Sequence, residues 1–180
     1  DLRSQREGQA YLDKLRGKIG SLAAKFAAGR INRRQFEELY NHYQTEIRQV
    51  ENMLRLSPSG DSWKDAVTEG QSILIRRRAA ARLLGFAIYD NHSGLPIRDG
   101  GKFGVDPDLF VPMLSSYRSA TQEIFGAGVR TMQIEGGRWL CFIPGRLTTS
   151  LMLFSLEPSG DQVKHLEQMH AVFEHANAAT

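Results

Sequence analysis

The chain has 180 residues, of which 41% are hydrophobic and 24% charged, and its 23 basic and 20 acidic residues leave a net charge of +3 at pH 7. These values suit a soluble globular protein that has one core, or one core and a helical appendage. No apolar run approaches the roughly 20 residues that a bilayer span requires, and the single cysteine excludes an internal disulfide, so we expect no membrane insertion and a cytoplasmic location.

The first 55 residues are predicted to be helical. Apolar residues recur there at alternating spacings of three and four, which places them on one face of a helix, until Gly29 interrupts the pattern. Asn32 and Gln35 then form a capping-box start for a second helix with a similar face. We expect the two faces either to pack as an antiparallel helical hairpin or to close as a coiled coil against another subunit. The residues predicted at this interface are Leu12, Leu15, Tyr43 and Ile47.

A cluster of turn-forming residues, LSPSGD at 56–61, is the predicted linker. It divides the chain into a helical hairpin at 1–56, a linker at 57–65 and an α/β domain at 66–180. Residues 62–81 are predicted to form a further helix. Because Gly70 costs a helix roughly 1 kcal/mol relative to Ala, a strand at 72–76 is kept as the alternative.

The last hundred residues predict an α+β sandwich with a five-stranded antiparallel sheet and helices on both faces. Asp106 followed by Pro107 is a strong helix start, and we expect that helix to run to residue 125. Ser159 forms a second capping box, which begins the last helix. The turn between the third and fourth strands is a Gly-Gly pair, typical of a tight hairpin. The predicted strands are 83–90, 95–98, 129–135, 138–143 and 148–156.

The fourth and fifth predicted strands carry apolar side chains at odd and even positions alike. A sheet that is apolar on both faces must be covered on both faces. The last helix can cover one face, but a single helix at 106–125 covers the other poorly. A second copy of the chain meets this shortfall most simply, so we predict a homodimer.

Two segments resemble known modules. The sequence GRIN at 29–32 before FEEL at 36–39, within residues 12–43, resembles the short helical module called SHOCT. The sequence GFAIYDNHSG at 85–94, the glycine pair at 136–137 and the closing helix capped by Ser159 resemble the roadblock/longin fold of roadblock-type dynein light chains and their bacterial relatives. This second resemblance covers residues 62–177.

The roadblock resemblance implies a non-enzymatic module in a bacterial cytoplasm. Members of that group typically dimerise by pairing their sheets edge to edge and packing their central helices, and many bacterial members regulate a small Ras-like GTPase. Carried onto this chain, the resemblance implies a dimeric scaffold or regulator of such a GTPase. It places four residues of the central helix at the dimer or partner surface, namely Met113, Tyr117, Thr121 and Ile124.

No pattern of catalytic, cofactor-binding or metal-binding residues is recognisable. The histidines at 165, 170 and 175 lie at spacings of five, about 140° apart around a helix, so they cannot converge on one ion. The aspartates between residues 90 and 108 suit caps and turns, and they lack the spacing of an EF-hand. Arginines at 76–78 and 82 have no interleaved aromatic residues, so we interpret them as a solvated helix face and expect no nucleic-acid binding.

A different class of function fits the same element order. PAS-like, GAF-like and profilin-like sensor modules also place helices on a sheet, and they hold a small ligand between the two layers. Such a ligand needs a cavity, whereas bulky side chains favour a filled core. The residues that carry this objection are Phe86, Trp139, Phe142, Met152 and Phe154.

Overall fold

The computed structural model describes residues 2–58, 60–68, 70–104, 112 and 130–178. It divides into two units, Asp1–Ala80 and Ala81–Thr180. The first unit contains helices α1 (Leu2–Ala27), α2 (Arg33–Leu56) and α3 (Gln71–Arg78), with a 3-10 turn at Ser62–Ala66. The described part of the second unit contains five strands and a long helix, so the predicted α+β fold is confirmed.

Helices α1 and α2 form the predicted antiparallel hairpin. Residues of α1 meet residues of α2 in reverse order: Gly8 lies against Leu54, Arg16 donates to Glu51 over 3.1 Å, and Phe26 stacks on Phe36 near the turn. Gly29 adopts φ +75° in the turn, which favours glycine. The buried core residues that the two helices contribute are Leu12, Leu15, Leu22, Leu39, Tyr43, Ile47 and Val50.

The predicted capping box at the start of α2 is present, and its two side chains also bind the backbone at the end of α3. Oδ1 of Asn32 accepts from N of Gln35 over 2.8 Å, and Oε1 of Gln35 accepts from N of Asn32 over 3.0 Å. The two amide nitrogens then donate to backbone oxygens of the chain around α3: Asn32 to Ala79, and Gln35 to Arg76, each over 2.9 Å. The same two side chains therefore begin α2 and fix the end of α3.

Residues 62–81 do not form one helix, and 72–76 is not a strand, so both predictions for this segment are wrong. Trp63, which is 6% exposed, inserts into the hairpin core and donates from Nε1 to Oγ of Ser4 over 3.2 Å. N of Thr68 donates to Oε1 of Glu46 over 2.9 Å. These contacts accompany the end of the 3-10 turn, after which Val67 is extended, with φ −76° and ψ 120°, so the helix is interrupted there.

The division between the units falls at Ala80, further along the chain than the predicted linker at 57–65. The physical reason is that the predicted linker is packed rather than free. Trp63 and Ala66 belong to the buried core of the hairpin. The buried Glu46, which also accepts from the hydroxyl of Tyr11 over 2.6 Å, binds the following segment through Thr68.

The second unit is built on an antiparallel sheet in the order β2-β1-β5-β4-β3. Its strands are β1 (Leu83–Asp90), β2 (Pro96–Gly101), β3 (Arg130–Gln133), β4 (Trp139–Pro144) and β5 (Thr148–Phe154). Strand β2 begins and ends later than predicted, because its register runs from Tyr89↔Pro96 to Gly85↔Gly101. The turn between β3 and β4 contains the predicted glycine pair, with positive φ of 78° and 72°, but it spans three residues, Glu135–Gly137, and the bond from N of Ile134 to O of Arg138 closes it.

Both faces of the central strands β1, β5 and β4 are largely buried, as the sequence of β4 and β5 predicts. On one face the buried side chains include Ala87, Tyr89, Leu140, Phe142, Leu151 and Leu153. On the other face Cys141, Ile143 and Phe154 pack with Leu166 of the last helix, α4 (Gly160–Asn177). Of the helix predicted at 106–125, only residue 112 is among the described residues.

Helix α4 starts at the predicted capping box, in which Ser159 and Gln162 exchange hydrogen bonds. The buried position that follows Leu166 on α4 is His170, which is 5% exposed, whereas the adjacent Met169 is 55% exposed. None of the helices in the described ranges combines the length and apolar character needed to cross a membrane.

We expect fragments cut at the observed division to fold and a fragment cut at the predicted linker to fold poorly. Residues 1–80 and 81–180, made separately, should each unfold cooperatively on heating, because each keeps its own buried core. Residues 57–180 carry Trp63 without the hairpin that buries it, and this fragment should bind a hydrophobic dye and aggregate. Loss of cooperative melting in 81–180 alone would contradict the division.

Candidate functional site

A cleft of about 280 Å³ opens between helix α4 and the face of the sheet that the helix covers. Strands β1 and β5 form its floor and α4 forms one wall. Its lining is largely apolar, and its volume approaches the lower end of the range for small-molecule sites, roughly 300 Å³. The lining residues are Leu83, Phe86, Ile88, Ser150, Met152, Leu166, Met169, His170 and Phe173.

Ser150 and His170 supply the polar part of this cleft. Oγ of Ser150 lies 2.7 Å from Nδ1 of His170, and both residues are buried. Each comes from a regular element that fixes it: Ser150 from β5, which pairs with β1 and β4, and His170 from the buried face of α4.

The partners of His170 determine which ring nitrogen carries the proton in the neutral ring. Nε2 faces the carbonyl oxygen of Thr148 at 3.3 Å and the Thr148 hydroxyl at 3.4 Å. That hydroxyl gives its hydrogen to Oε1 of Glu174 over 2.8 Å, so its oxygen can only accept from His170. Since only acceptors surround Nε2, the proton belongs there, and Nδ1 accepts the hydrogen of Ser150.

Glu174 closes the turn between β4 and β5. Its carboxylate accepts from the backbone nitrogens of Arg146, Leu147 and Thr148, over 2.8, 2.9 and 2.6 Å. Burial by itself would raise the pKa of Glu174, but the hydrogen bonds from Thr148, Leu147 and Arg146 outweigh it, and the pKa lies below its ordinary value. The carboxylate is therefore held in its charged form at neutral pH.

Gly145 makes this arrangement possible. A Cβ atom built at Gly145 would lie 2.5 Å from Nε2 of His170 and 2.5 Å from Cδ of Glu174. Because both contacts are far shorter than any real Cβ contact, a side chain at this position would displace one of the two residues. The turn therefore requires glycine for close approach rather than for a special backbone angle.

The Ser-His pair resembles the start of a nucleophilic dyad, but its setting does not suit acyl transfer. Ser150 is 1% exposed and is the third residue of β5, where register partners on β1 and β4 flank it on both sides. An oxyanion hole needs N–H donors aimed at the developing charge, and the strand ladder engages those of β5. The pair is suited to receiving one polar group of a bound molecule.

The two outer strands of the sheet form a second kind of surface. Strand β2 is exposed along most of its length and carries Ile97, which is 53% exposed. Strand β3 is shorter and carries Met132, which is 40% exposed. Each is the last strand on its side of the sheet, where one set of backbone N–H and C=O groups is turned away from the neighbouring strand.

The interface residues predicted from the sequence fall into two groups. Leu12, Leu15, Tyr43 and Ile47 are between 0% and 8% exposed and lie in the shared core of α1 and α2, so within one chain they hold the hairpin together. Their predicted role between subunits stays a prediction. The residues of the predicted central helix, Met113, Tyr117, Thr121 and Ile124, lie outside the described residues.

The single cysteine and the arginine cluster have clear positions in the structure. Cys141 is fully buried in the sheet, and burial, with a smaller contribution from Glu167, raises the pKa of its thiol to about 12. Within the described ranges no group of three or more His, Cys, Asp and Glu side chains could hold a metal ion. The arginines at 76–78 form the exposed end of α3, and Arg78 donates to Glu38 of α2 over 3.0 Å.

The sequence reasoning missed the Ser150, His170 and Glu174 cluster. A usable sign was present: Ser150 interrupts an otherwise apolar strand, and His170 lies at a core position of α4 one turn before Glu174. A polar residue on a buried strand face requires a partner, and a histidine on the buried face of the next helix can supply one.

Comparisons with protein families, with characterised proteins and with solved structures find no match for this chain.

We predict that Glu174→Gln destabilises the second unit in a pH-dependent way. At pH 7 the loss should be about 2 kcal/mol, because hydrogen bonds to a partly buried charge become weaker bonds to a neutral amide. The folded pKa of Glu174 lies below that of the unfolded chain, so its contribution is complete above the unfolded value and is lost as the pH falls through the folded one.

The measurement is thermal unfolding of both proteins from pH 7 downwards. Their stabilities should converge as the wild-type carboxyl becomes protonated. Glu167→Gln is a suitable control on the same helix, because Glu167 is exposed. A constant difference between Glu174→Gln and the wild type across the whole pH range would contradict the prediction.

Proposed function

We propose that this chain is a non-enzymatic interaction protein whose α+β unit forms a homodimer and whose partner is a small Ras-like GTPase. The dimer has support in the geometry of strand β3. The proposal of a GTPase partner rests on the resemblance of the element order to the roadblock group. We also propose a cytoplasmic location, which rests on the single cysteine and on the same resemblance.

Strand β3 presents a short edge suited to self-pairing. N of Ile134 donates to O of Arg138 over 2.8 Å, which marks Ile134 and Arg138 as a hydrogen-bonded pair. Because hydrogen bonding alternates along an antiparallel strand, Met132 also bonds towards β4, whereas Thr131 and Gln133 turn their backbone groups outwards. Two copies related by a twofold axis can place Thr131 opposite Gln133, which forms about four backbone hydrogen bonds.

The side chains on this edge allow that pairing. With Thr131 opposite Gln133, Met132 of one copy faces Met132 of the other across the twofold axis. The three residues at 131–133 carry no charge, and Met132 is 40% exposed in the single chain, so pairing buries apolar surface without bringing like charges together. A four-residue edge is small, and the remaining contact area would come from the predicted central helix.

Strand β2 is a poorer edge for self-pairing. N of Lys102 donates to O of Leu84 over 2.8 Å, so by the same alternation Asp99 turns its backbone groups outwards. Pairing centred on Asp99 would place two aspartates face to face, and pairing centred on Arg98 would place two arginines face to face. Like charges directly opposite are destabilising, and charged residues commonly protect a free edge.

A second candidate function is a sensor module that binds a small ligand between its sheet and helix. The cleft of about 280 Å³ beside α4 favours it. The sequence argued for a filled core on the basis of Phe86 and Met152, among others. Both residues instead line the cleft, together with Ser150 and His170.

The dimer edge can be tested with one matched pair of variants. Met132→Arg should convert the dimer to a monomer, or weaken it at least tenfold, because two arginines would meet across the twofold axis. Ile97→Arg makes the same change on the other edge strand, where the residue is also exposed, and should leave the dimer intact.

Sedimentation equilibrium of the wild type and both variants gives the association constants, and circular dichroism confirms that the variants are folded. A monomeric wild type would refute the dimer itself. Dissociation by Ile97→Arg but not by Met132→Arg would assign the dimer to β2 instead.

The partner can be tested by capture from a lysate of the source organism. The immobilised chain should retain a small GTPase in a nucleotide-dependent manner when parallel samples contain GDP or a non-hydrolysable GTP analogue. Met132→Arg serves as a second bait, which shows whether capture requires the dimer. Retention of no GTPase with either nucleotide would refute this part of the proposal.

A further inference from the structure

The cleft beside α4 combines an apolar lining with one polar position, and this combination restricts what can bind there. At about 30 Å³ for each non-hydrogen atom, a volume of about 280 Å³ accommodates roughly nine such atoms. Phe86, Ile88, Met152 and Phe173 offer only dispersion contacts. The occupant is therefore a compact apolar molecule.

The hydroxyl of Ser150 determines which kind of hydrogen-bonding group a bound molecule can carry. The acceptors around Nε2 of His170 keep the ring proton on Nε2, so Nδ1 of the neutral ring is an acceptor. The hydroxyl hydrogen of Ser150 is therefore directed at Nδ1. The oxygen of Ser150 keeps two lone pairs, and among the residues that the structure describes it has no second hydrogen-bond partner. What Ser150 offers to the cleft is thus an acceptor.

We infer that the cleft binds a small apolar ligand carrying one hydrogen-bond donor, such as the hydroxyl group of an alkylphenol, and that Oγ of Ser150 accepts that hydrogen. Thr148 and Glu174 are positioning residues, since they hold His170 in the tautomer that turns Ser150 into an acceptor. This inference rests on the second candidate function, and it adds the chemistry of the ligand.

Two probes of the same shape separate apolar binding from recognition of the donor. We would use 4-ethylphenol and 4-ethyltoluene, which differ only in a hydroxyl group replaced by a methyl group. The readout is the methyl spectrum of methionine-labelled protein. Met152 and Met169 line the cleft, whereas Met53 and Met132 lie elsewhere and serve as internal controls.

We expect 4-ethylphenol to shift the signals of Met152 and Met169 in a saturable way, to leave Met53 and Met132 unchanged, and to bind about fivefold tighter than 4-ethyltoluene, as one neutral hydrogen bond allows. Ser150→Ala should abolish this preference while both probes still bind. Equal affinity of the wild type for both probes would overturn the donor inference and leave the sensor function standing. No shift at Met152 and Met169 with either probe would overturn both.

A second pair of variants keeps the test decisive if Ser150→Ala does not fold. Met169→Arg places a charge at the mouth of the cleft on an exposed position of α4 and should weaken the binding of both probes at least fivefold. Val172→Arg makes the same change on the same helix at a residue that is 69% exposed and does not line the cleft, so it should have no effect. Equal effects of the two variants would show that the probes bind elsewhere.

Discussion

Strand β5 is buried on both of its faces, and the organisation of the second unit follows from this constraint. It lies between β1 and β4, with Leu151 and Leu153 in one apolar cluster and Met152 and Phe154 in the other. A strand so placed cannot leave a polar side chain unsatisfied. Thr148 and Ser150, at its start, therefore depend on α4, whose Glu174 and His170 supply the required hydrogen bonds, whereas Thr149 between them donates to Oδ1 of Asn91. The same requirement creates the polar end of an otherwise apolar cleft.

The helical unit follows the same rule with a buried carboxylate. Glu46 is only 3% exposed, and its Oε1 accepts hydrogen bonds from the hydroxyl of Tyr11 and from N of Thr68. Satisfying this charge ties α1, α2 and the segment after them into one body, because a carboxylate without partners would be costly in such a position. In each unit a buried polar side chain thus determines where a distant part of the chain must pass, while apolar contacts supply most of the burial.

Local sequence predicted those parts of the fold that local interactions determine. Both capping boxes, the Gly29 turn and the Gly136-Gly137 turn depend on residues within a few positions of one another, and all are present. The break in the predicted helix at 62–81 depends on Glu46, which is 22 residues from Thr68, and the polar cluster of the cleft joins residues 20 to 28 positions apart. Periodicity carries no information about such pairs. The sequence also does not predict cavities, since Phe86 and Met152 are bulky enough to fill a core and yet line a cleft.

The burial of Cys141 has a consequence for how the sheet can be observed. It is the single sulfhydryl of the chain and lies on β4, with strands paired on both sides, and its raised pKa leaves almost no thiolate at neutral pH. Its side chain projects from the sheet face that α4 covers, so an alkylating reagent can reach the sulfur only when α4 lifts away from this face or the whole unit unfolds. The rate at which the free thiol disappears therefore reports how often this layer of the second unit opens.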